Sequence, residues 1–193
     1  WRRFNRDSQE NWALPGCNPT GNLELTLGSA ELPVDDLGLR SYTHTVQIQG
    51  KTLFRKLETN DYSYGLAIGG VVRSRGAADQ VPNYYAYMPF TRSMLDDRLF
   101  LHANLGVQRS GEVAVDALTW GVGTEYGITP RVFLMIETYG DNHRRNSYQG
   151  GVRVWVVPNR VQIDATVGTQ AGDYGASRWM SIGLRLLSPP FLK

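Results

Sequence analysis

The sequence predicts an all-β protein: an up-and-down antiparallel transmembrane β-barrel of about ten strands, with eight to twelve possible. Apolar and polar residues alternate along ten segments, which is the period of a strand with two different faces. Helical spacing is weak, and 21 glycines are scattered through the chain at a density that a helix would not tolerate. Short turns and longer polar connections follow one another, as expected for a meander.

The alternating segments are long for a soluble protein. Alternation is clearest where Leu99 and Leu101 share one face and His102 takes the other. Several segments have 11 to 16 residues, whereas soluble strands have ~5–6 and a tilted strand crosses a bilayer with ~9–11. The fourth segment is the least regular because Pro82 and Pro89 lie around it. The segments lie at about 21–31, 42–57, 61–74, 83–92, 97–109, 113–128, 131–140, 145–157, 160–170 and 176–187.

The connections predict an orientation. Breaks after the second, fourth, sixth and eighth segments are short, as at Pro158-Asn159. Breaks after the first, third, seventh and ninth are longer and polar, as at residues 75–82, while the short break at 110–112 departs from this rule. In bacterial outer-membrane barrels the short turns are periplasmic and the long loops extracellular. We therefore expect both termini on the periplasmic side.

Strand register tests the alternation, because antiparallel partners must point to the same face. A two-residue turn at Pro158-Asn159 places apolar residues opposite one another and sets Arg153 opposite Asp164. Similar arithmetic around Thr59 and Thr129 gives one apolar face and one polar or small face. The remaining predicted partners are Val156 with Val161, Val154 with Ile163, Val152 with Ala165, Trp155 with Gln162, Phe54 with Tyr64, Thr52 with Leu66, Tyr126 with Val132, and Val122 with Ile136.

The polar face predicts a charged interior. In a membrane barrel the apolar face meets lipid and the polar face lines the lumen, where opposite charges can pair. The charged residues on this face, which we expect to form a lumen network, are Arg98, Glu125, Glu137, Arg153, Asp164 and Arg185.

Small residues on the same face favour a lumen over a solvated surface. Glycine on a solvated surface would weaken the strand, because it exposes the backbone and has no side chain to pack. A narrow interior requires small side chains where strands coil tightly. Aromatic residues near segment ends on the apolar face, such as Tyr64 and Tyr126, fit interfacial belts. A soluble lipocalin-like barrel that binds a small apolar ligand stays open as an alternative. The small residues are Gly65, Ala67, Gly69, Gly121, Gly123, Gly151, Gly168, Ser181 and Gly183.

Composition limits the function classes. A formal net charge of +2 argues against a nucleic-acid binder, and no apolar stretch approaches the ~20 residues of a transmembrane helix. The chain opens with Trp1-Arg2-Arg3-Phe4 and no apolar stretch, so we expect either a mature form from which a signal peptide was removed or a chain that never had one. Cys17, the single cysteine, has no predicted role. We divide the chain into a periplasmic or lumenal extension (1–20), the barrel (21–187) and a C-terminal tail (188–193).

Basic residues gather at the end with the longer connections. They could meet lipopolysaccharide phosphates above the outer leaflet, with solvated loop charge as the open alternative. These residues are Arg73, Arg75, Arg109, Arg144, Arg145 and Arg178.

The C-terminal part resembles a known family. Trp120 to Gly140 gives a glycine-rich strand, a tight turn and a Glu-containing strand, followed by Gly150-Gly151-Val152-Arg153 and Pro158-Asn159. With the inward Asp164 and a last strand through Gly183-Leu184, residues ~118–187 resemble the phenol-degradation-pathway (MetA-pathway) family of Gram-negative outer-membrane barrels. The resemblance implies an outer-membrane barrel, with no catalytic residues carried over. Many such barrels end on an aromatic residue, whereas this chain continues past Leu187 with Phe191 as a substitute.

The expected function is non-enzymatic. A barrel of this size could be a narrow channel or transporter for small molecules. Alternatively it is a structural anchor that acts through its loops or within a larger envelope assembly. The second interpretation follows if the interior is closed by inward-pointing side chains, which are Phe100, Phe133, Met135 and Trp155. We expect no cofactor, no metal, no catalytic residue and no nucleic-acid partner; lipid, lipopolysaccharide and an envelope protein or a second copy are the expected partners. A rim enzyme using His102 or His143 with Asp141 is a second alternative.

Overall fold

A computed structural model describes residues 2–4, 9–18, 22–36, 39–74, 80–111, 115–172 and 178–187. These residues form thirteen strands, and none of them belongs to a helix that could span a membrane. The strands are β1 (Arg2–Phe4), β2 (Gln9–Ala13), β3 (Gly16–Cys17), β4 (Leu23–Asp36), β5 (Leu39–Arg55), β6 (Tyr62–Ser74), β7 (Gln80–Met94), β8 (Leu99–Ser110), β9 (Val115–Thr129), β10 (Val132–Asp141), β11 (Ser147–Val157), β12 (Val161–Gln170) and β13 (Trp179–Leu186). The predicted tail, 188–193, lies outside the described residues.

All strands belong to one sheet, and β4 to β13 pair in chain order, each antiparallel to the next. The all-β, up-and-down antiparallel prediction is therefore confirmed. The ten long strands match the ten segments that alternation marked, with ends that differ by one to five residues in most cases. Alternation was sufficient because each strand has two chemically different faces.

Residues 1–20, which we predicted to precede the barrel, contribute three short strands to this sheet. β1 pairs with β13 through Arg2 opposite Ser181, and with β2 through Arg2 opposite Glu10. β2 and β3 both pair with β4, and the amide of Leu27 donates to the carbonyl of Pro15 between them. Within the described residues β4 and β13 do not pair with each other; the β1–β2 hairpin pairs with both.

Register around Pro158-Asn159 agrees with the prediction over most of its length. Arg153 lies opposite Asp164, and the apolar partners Val152–Ala165 and Val154–Ile163 and the pair Trp155–Gln162 are also as predicted. The predicted Val156–Val161 pair is wrong, because a bulge after Trp155 sets Val157 opposite Val161. A bulge adds one residue to one strand, and alternation alone does not reveal it.

One predicted pair in β5 and β6 fails for the same reason. A bulge between Leu53 and Arg55 sets Arg55, and not Phe54, opposite Tyr64, although the Phe54 and Tyr64 rings stay 5.8 Å apart. The Thr52–Leu66 pair is as predicted.

The turn at Pro130-Arg131 is also shifted. Thr129 lies opposite Val132, and an irregularity follows, so that Tyr126 meets Leu134 and Val122 meets Thr138. The predicted Tyr126–Val132 and Val122–Ile136 pairs are therefore wrong by two residues. A slip of two residues keeps every side chain on its face.

The connection predicted as a long polar loop between the first two segments is instead strand. β4 and β5 continue to pair until Asp36 lies opposite Leu39. Their neighbours stop earlier, because β2 pairs with β4 only as far as Glu31 and β6 pairs with β5 only as far as His44. A two-stranded hairpin therefore extends beyond the described pairings of the adjacent strands.

The two faces of the sheet differ in accessibility. On the outer face the apolar side chains are open: Leu105 is 59%, Ile136 66% and Leu184 65% exposed. On the inner face, defined here as the less accessible one, Thr45 is 1% and Gln162 3% exposed. Among the described residues the only buried hydrophobic side chains are Ala30, Ala67 and Trp179. The accessible face of the sheet is therefore apolar and the covered face polar, which is the opposite of a soluble protein with an apolar core.

Short turns at one end are tied together by polar side chains. The Thr59 hydroxyl donates to Asp97 (2.6 Å), and the Asn60 amide donates to Asp96 (2.7 Å), linking the β5–β6 turn to the β7–β8 turn. Ser93 also donates to Asp97. Hydrogen bonds from Ser93 and Thr59 lower the pKa of the Asp97 carboxyl, so this turn is ordered by an ionised side chain.

Candidate functional site

The inner face of β8 to β12 carries a charged cluster centred on Arg153 of β11. Its guanidinium reaches over β10 to the Glu125 carboxylate of β9, with Nη1 at 2.6 and 2.7 Å from the two oxygens. On the other side its Nε donates to Asp164 of β12 at 2.9 Å. The three side chains are between 17% and 27% exposed. One cation therefore holds two carboxylates from strands that are not neighbours.

Further polar groups extend this cluster on both sides. The Gln162 amide donates to both oxygens of Asp164, at 3.0 and 2.9 Å. His102 Nδ1 and the Thr91 hydroxyl are 2.9 Å apart, and His102 Nε2 lies 3.5 Å from Glu125. Nε2 is buried there without the geometry of a hydrogen bond. We call His102, Glu125, Glu137, Arg153 and Asp164 the charged wall.

A polar cavity of about 330 Å³ lies beside the charged wall. His102 and Asn104 border it from β8, Glu137 and Tyr139 from β10, and Gln149 from β11. Register explains the space: the β9 positions between these rows are glycines, with Gly123 between His102 and Glu137 and Gly121 between Asn104 and Tyr139. Two successive inward positions without side chains leave the gap.

A second cluster on β5 and β7 has no net charge. The Gln47 amide donates to the Tyr85 hydroxyl (2.8 Å), which donates to Gln49 (3.0 Å). Tyr87 donates to the same Gln49 oxygen at 3.4 Å, and the two tyrosine rings stack 6.2 Å apart. We call Gln47, Gln49, Tyr85 and Tyr87 the neutral wall. Sequence reasoning missed it, although both pairs are spaced by two residues on the polar face.

Glycines let large side chains lie flat against the sheet. Tyr85 reaches β5 by crossing β6 above Gly69, where a Cβ would collide with the tyrosine ring and hydroxyl. Trp179 crosses β12 above Gly168 in the same way, and its indole donates to Gln149 at 3.3 Å. At these two positions the absence of a side chain allows an aromatic ring to lie flat against the sheet.

The structure joins only part of the predicted lumen network. Glu125, Arg153 and Asp164 are in direct contact, and Glu137 accepts a hydrogen bond from Gln149. Arg98 lies in the β7–β8 turn with its guanidinium 5.8 Å from the Tyr126 ring centre. Arg185 is exposed on β13, opposite Gln162. Within the described residues no ion pair connects Arg98 or Arg185 to the cluster.

Five of the six predicted lipopolysaccharide-contacting arginines lie at the opposite end from the short turns. Arg109 pairs with Asp116 at 3.5 Å, and Arg144 lies 3.9 Å from Asp141. Arg145 donates to the Gly172 carbonyl at 2.6 Å. Arg73 and Arg178 are exposed, and Arg75 lies outside the described residues.

The chemistry available on the inner face is polar contact and charge. His143, considered for a rim enzyme, has its amide bonded to Asp141 (2.8 Å) and its ring Nε2 3.0 Å from the Asp116 carbonyl. Across the described ranges no group of three or more His, Cys, Asp and Glu is arranged to hold a metal ion. Carboxylates, amides, phenols and one imidazole can together bind a small polar solute.

These features define a class: an all-β antiparallel protein whose apolar side chains point outward and whose charged side chains line the inner face. The chain belongs to the family described as "Uncharacterised conserved protein UCP029691", which matches residues 1–187. No curated protein matches the chain. The resemblance of residues ~118–187 to the MetA-pathway family stays a prediction.

Proposed function

We propose that this chain is a β-barrel of a bacterial outer membrane whose interior admits small polar solutes. The observation that carries the proposal is the inversion of the two faces. Apolar side chains such as Leu105, Ile136 and Leu184 are open on the outside, whereas Glu125 and Arg153 are mostly covered on the inside.

Lipid is the environment that stabilises this arrangement. Each square ångström of apolar surface left in water costs about 25 cal/mol relative to burial, and large exposed apolar patches mark association or membrane surfaces. A soluble lipocalin-like barrel would need the same side chains inside. The outward position of Leu101, Val122 and Ile163 therefore weighs against the soluble alternative.

The N-terminal strands support closure of the sheet. If β2 and β3 act as one strand interrupted at Pro15, the pairings from β4 to β13 continue through β1 and return to β4. An eight-stranded barrel is just wide enough for side chains to fill. A barrel of twelve strands is wider, and the Tyr85 and Trp179 side chains lie flat over Gly69 and Gly168 and not toward its centre. We therefore favour passage over a filled interior.

The basic end supports a contact with lipopolysaccharide. Arg109 and Arg144 have side chains that are 61% and 81% exposed, and each keeps a carboxylate at 3.5 Å or more. A guanidinium group can bind a phosphate through two parallel N–H···O hydrogen bonds, and these two groups are accessible to do so.

Planar-bilayer recording of the purified protein tests passage. We expect discrete conductance steps, and a band on an unboiled gel that shifts on heating, as a stable barrel gives. The proposal fails if the protein stays monomeric in plain buffer and does not float with liposomes. Gly183→Val serves as a control that adds side-chain volume on the inner face of β13. A Cβ at Gly183 would fit there, because the neighbouring Asp164 Cβ lies at an ordinary contact distance of 3.9 Å.

A second candidate is an anchoring role, favoured by the β4–β5 hairpin that extends beyond the pairings of its neighbours. A barrel that inserts but conducts no ions would favour anchoring over passage. Deletion of residues 33–40 would then abolish partner capture while leaving liposome insertion intact.

A further inference from the structure

We propose that the cavity beside the charged wall binds the ammonium group of small organic cations. This rests on the proposed function, because a solute reaches the cavity through an open interior. The site is the 330 Å³ space bordered by His102, Asn104, Glu137, Tyr139 and Gln149. Its volume lies within the range of ~300–1,000 Å³ typical of small-ligand sites.

The space itself is built into the sheet. Consecutive inward positions of β9 are Gly121 and Gly123, opposite Tyr139 and Glu137 on β10. A Cβ at Gly121 would meet the Tyr139 Cβ at an ordinary 3.5 Å, so the fold tolerates a side chain there. The backbone around Gly121 therefore leaves room for a side chain, and a side chain at this position would occupy the cavity.

The charge around the cavity selects the sign of the ligand. Glu125, Asp164 and Glu137 carry three negative charges, and Arg153, which binds the first two, supplies one positive charge. These four side chains give the surroundings of the cavity a formal charge of negative two. In a partly dehydrated interior such a field attracts cations and repels anions.

Other charges on the inner face do not cancel this field locally. Glu24 and Lys51 lie opposite each other on β4 and β5 and balance one another. Arg185 lies opposite Gln162, on the short-turn side of Asp164, whereas Glu137 lies on the side of the longer connections. Arg185 therefore lies farther along the strands from Glu137 and the cavity than Asp164 does.

The uncharged border suits an ammonium group with a short carbon chain. Asn104 and Gln149 offer amide oxygens to N–H donors, and Tyr139 offers an aromatic ring. Carboxylate, amide oxygen and aromatic face together recognise a primary ammonium better than an inorganic ion of the same charge.

The test is a titration of ethylammonium chloride into the detergent-solubilised protein, followed by ligand-observed NMR, with n-propanol as the neutral probe of similar size. We expect ethylammonium to bind and propanol not to bind. Glu137→Gln keeps the shape and should weaken binding about tenfold, the size of one charged contact. Gly121→Val should abolish binding, and Gly183→Val should leave it unchanged. Equal binding of ethylammonium and propanol, or of wild type and Glu137→Gln, would overturn the proposal.

Bilayer recording separates this site from the proposed function. If the protein conducts ions, ethylammonium should reduce the potassium current of the wild type and of Gly183→Val. It should leave the potassium current of Gly121→Val unchanged. If ethylammonium binds but no conductance occurs, the site stands and passage fails. If conductance occurs without ethylammonium binding, passage stands and the cation site is wrong.

Discussion

The charged wall and the neutral wall occupy the same inner face and are built differently. In the charged wall, Arg153 joins Glu125 and Asp164 across three strand spacings. In the neutral wall, Tyr85 joins Gln47 and Gln49 across a single glycine-bearing strand. The first depends on charge balance and the second on fit over Gly69. The two walls should therefore respond differently to loss of one member.

The physical reason lies in what remains after a substitution. Removing the cation of a covered cluster leaves carboxylates without compensation, which is strongly destabilising. Removing one neutral hydrogen bond leaves a polar group that can turn toward water in an open interior.

Arg153→Met should give the largest effect. Glu125 and Asp164 would lose their shared partner. We expect the free energy of unfolding to fall by about 2–4 kcal/mol, which is less than for a fully buried ion pair because about a quarter of the Arg153 side chain is exposed. Urea unfolding in detergent micelles, followed by tryptophan fluorescence, measures this. The triple variant that also carries Glu125→Gln and Asp164→Asn should recover most of the loss; no recovery would show that charge balance is not the cause.

Gly69→Ala should give the next largest effect, about 1–3 kcal/mol. Its Cβ would strike the Tyr85 ring and lie 2.7 Å from the Ile48 carbonyl oxygen. Gly70→Ala is the matched control on the outer face, because its nearest neighbour is a Tyr84 ring carbon at 3.5 Å. We expect this control to change stability by less than about 0.5 kcal/mol. Equal losses in the two variants would contradict the seating of Tyr85 over Gly69.

Tyr85→Phe should cost less, about 0.5–1.5 kcal/mol, since it removes the hydroxyl that bonds Gln47 and Gln49 but keeps the ring. The same unfolding measurement applies. A loss as large as that of Arg153→Met would erase the proposed difference between the walls.

The smallest effect concerns acid stability at the short turns. Because the folded pKa of Asp97 is lowered by Ser93 and Thr59, its contribution is complete above the ordinary carboxyl pKa of about 4 and is lost as pH falls through the folded value. Asp97→Asn should therefore lower stability slightly at neutral pH, where the ionised carboxylate contributes, and flatten the decline in stability below pH 4. An unchanged acid limb in this variant would exclude Asp97 as a contributor.

Alternation predicted the long strands because every segment from β4 to β13 has an apolar face, and a turn at Pro158-Asn159 was enough to place Arg153 opposite Asp164. Asn159 takes a positive φ of 57°, which this residue type accommodates better than most. The bulges after Trp155 and Leu53 escaped because they depend on how a particular turn closes. Each bulge lies within the last three residues of its strand, at 53–55 in β5 and 155–157 in β11, so too few residues follow it for the reversed alternation to be visible.

The N-terminal strands and the neutral wall escaped for different reasons. Residues 2–4 and 9–13 are too short and polar to show alternation, and their strand state depends on the edges that β13 and β4 present. Contact of Tyr85 with Gln47 requires the register of three strands at once, with a glycine in the middle one. Gly69 was noted among the small inner-face residues. Its small size was attributed to crowding between tightly coiled strands, whereas in the structure it makes room for the Tyr85 ring.

The central claim, that the outer face meets lipid and the inner face meets water, is tested by two adjacent cysteine labels. Cys17, the exposed free cysteine, is first replaced by serine. Leu105→Cys on the outer face and Asn104→Cys on the inner face are then labelled with a fluorophore in liposomes. We predict that nitroxide-bearing lipids quench the label at 105 and that a water-soluble quencher reaches only the label at 104. Quenching of both labels from water, with none from lipid, would contradict the account.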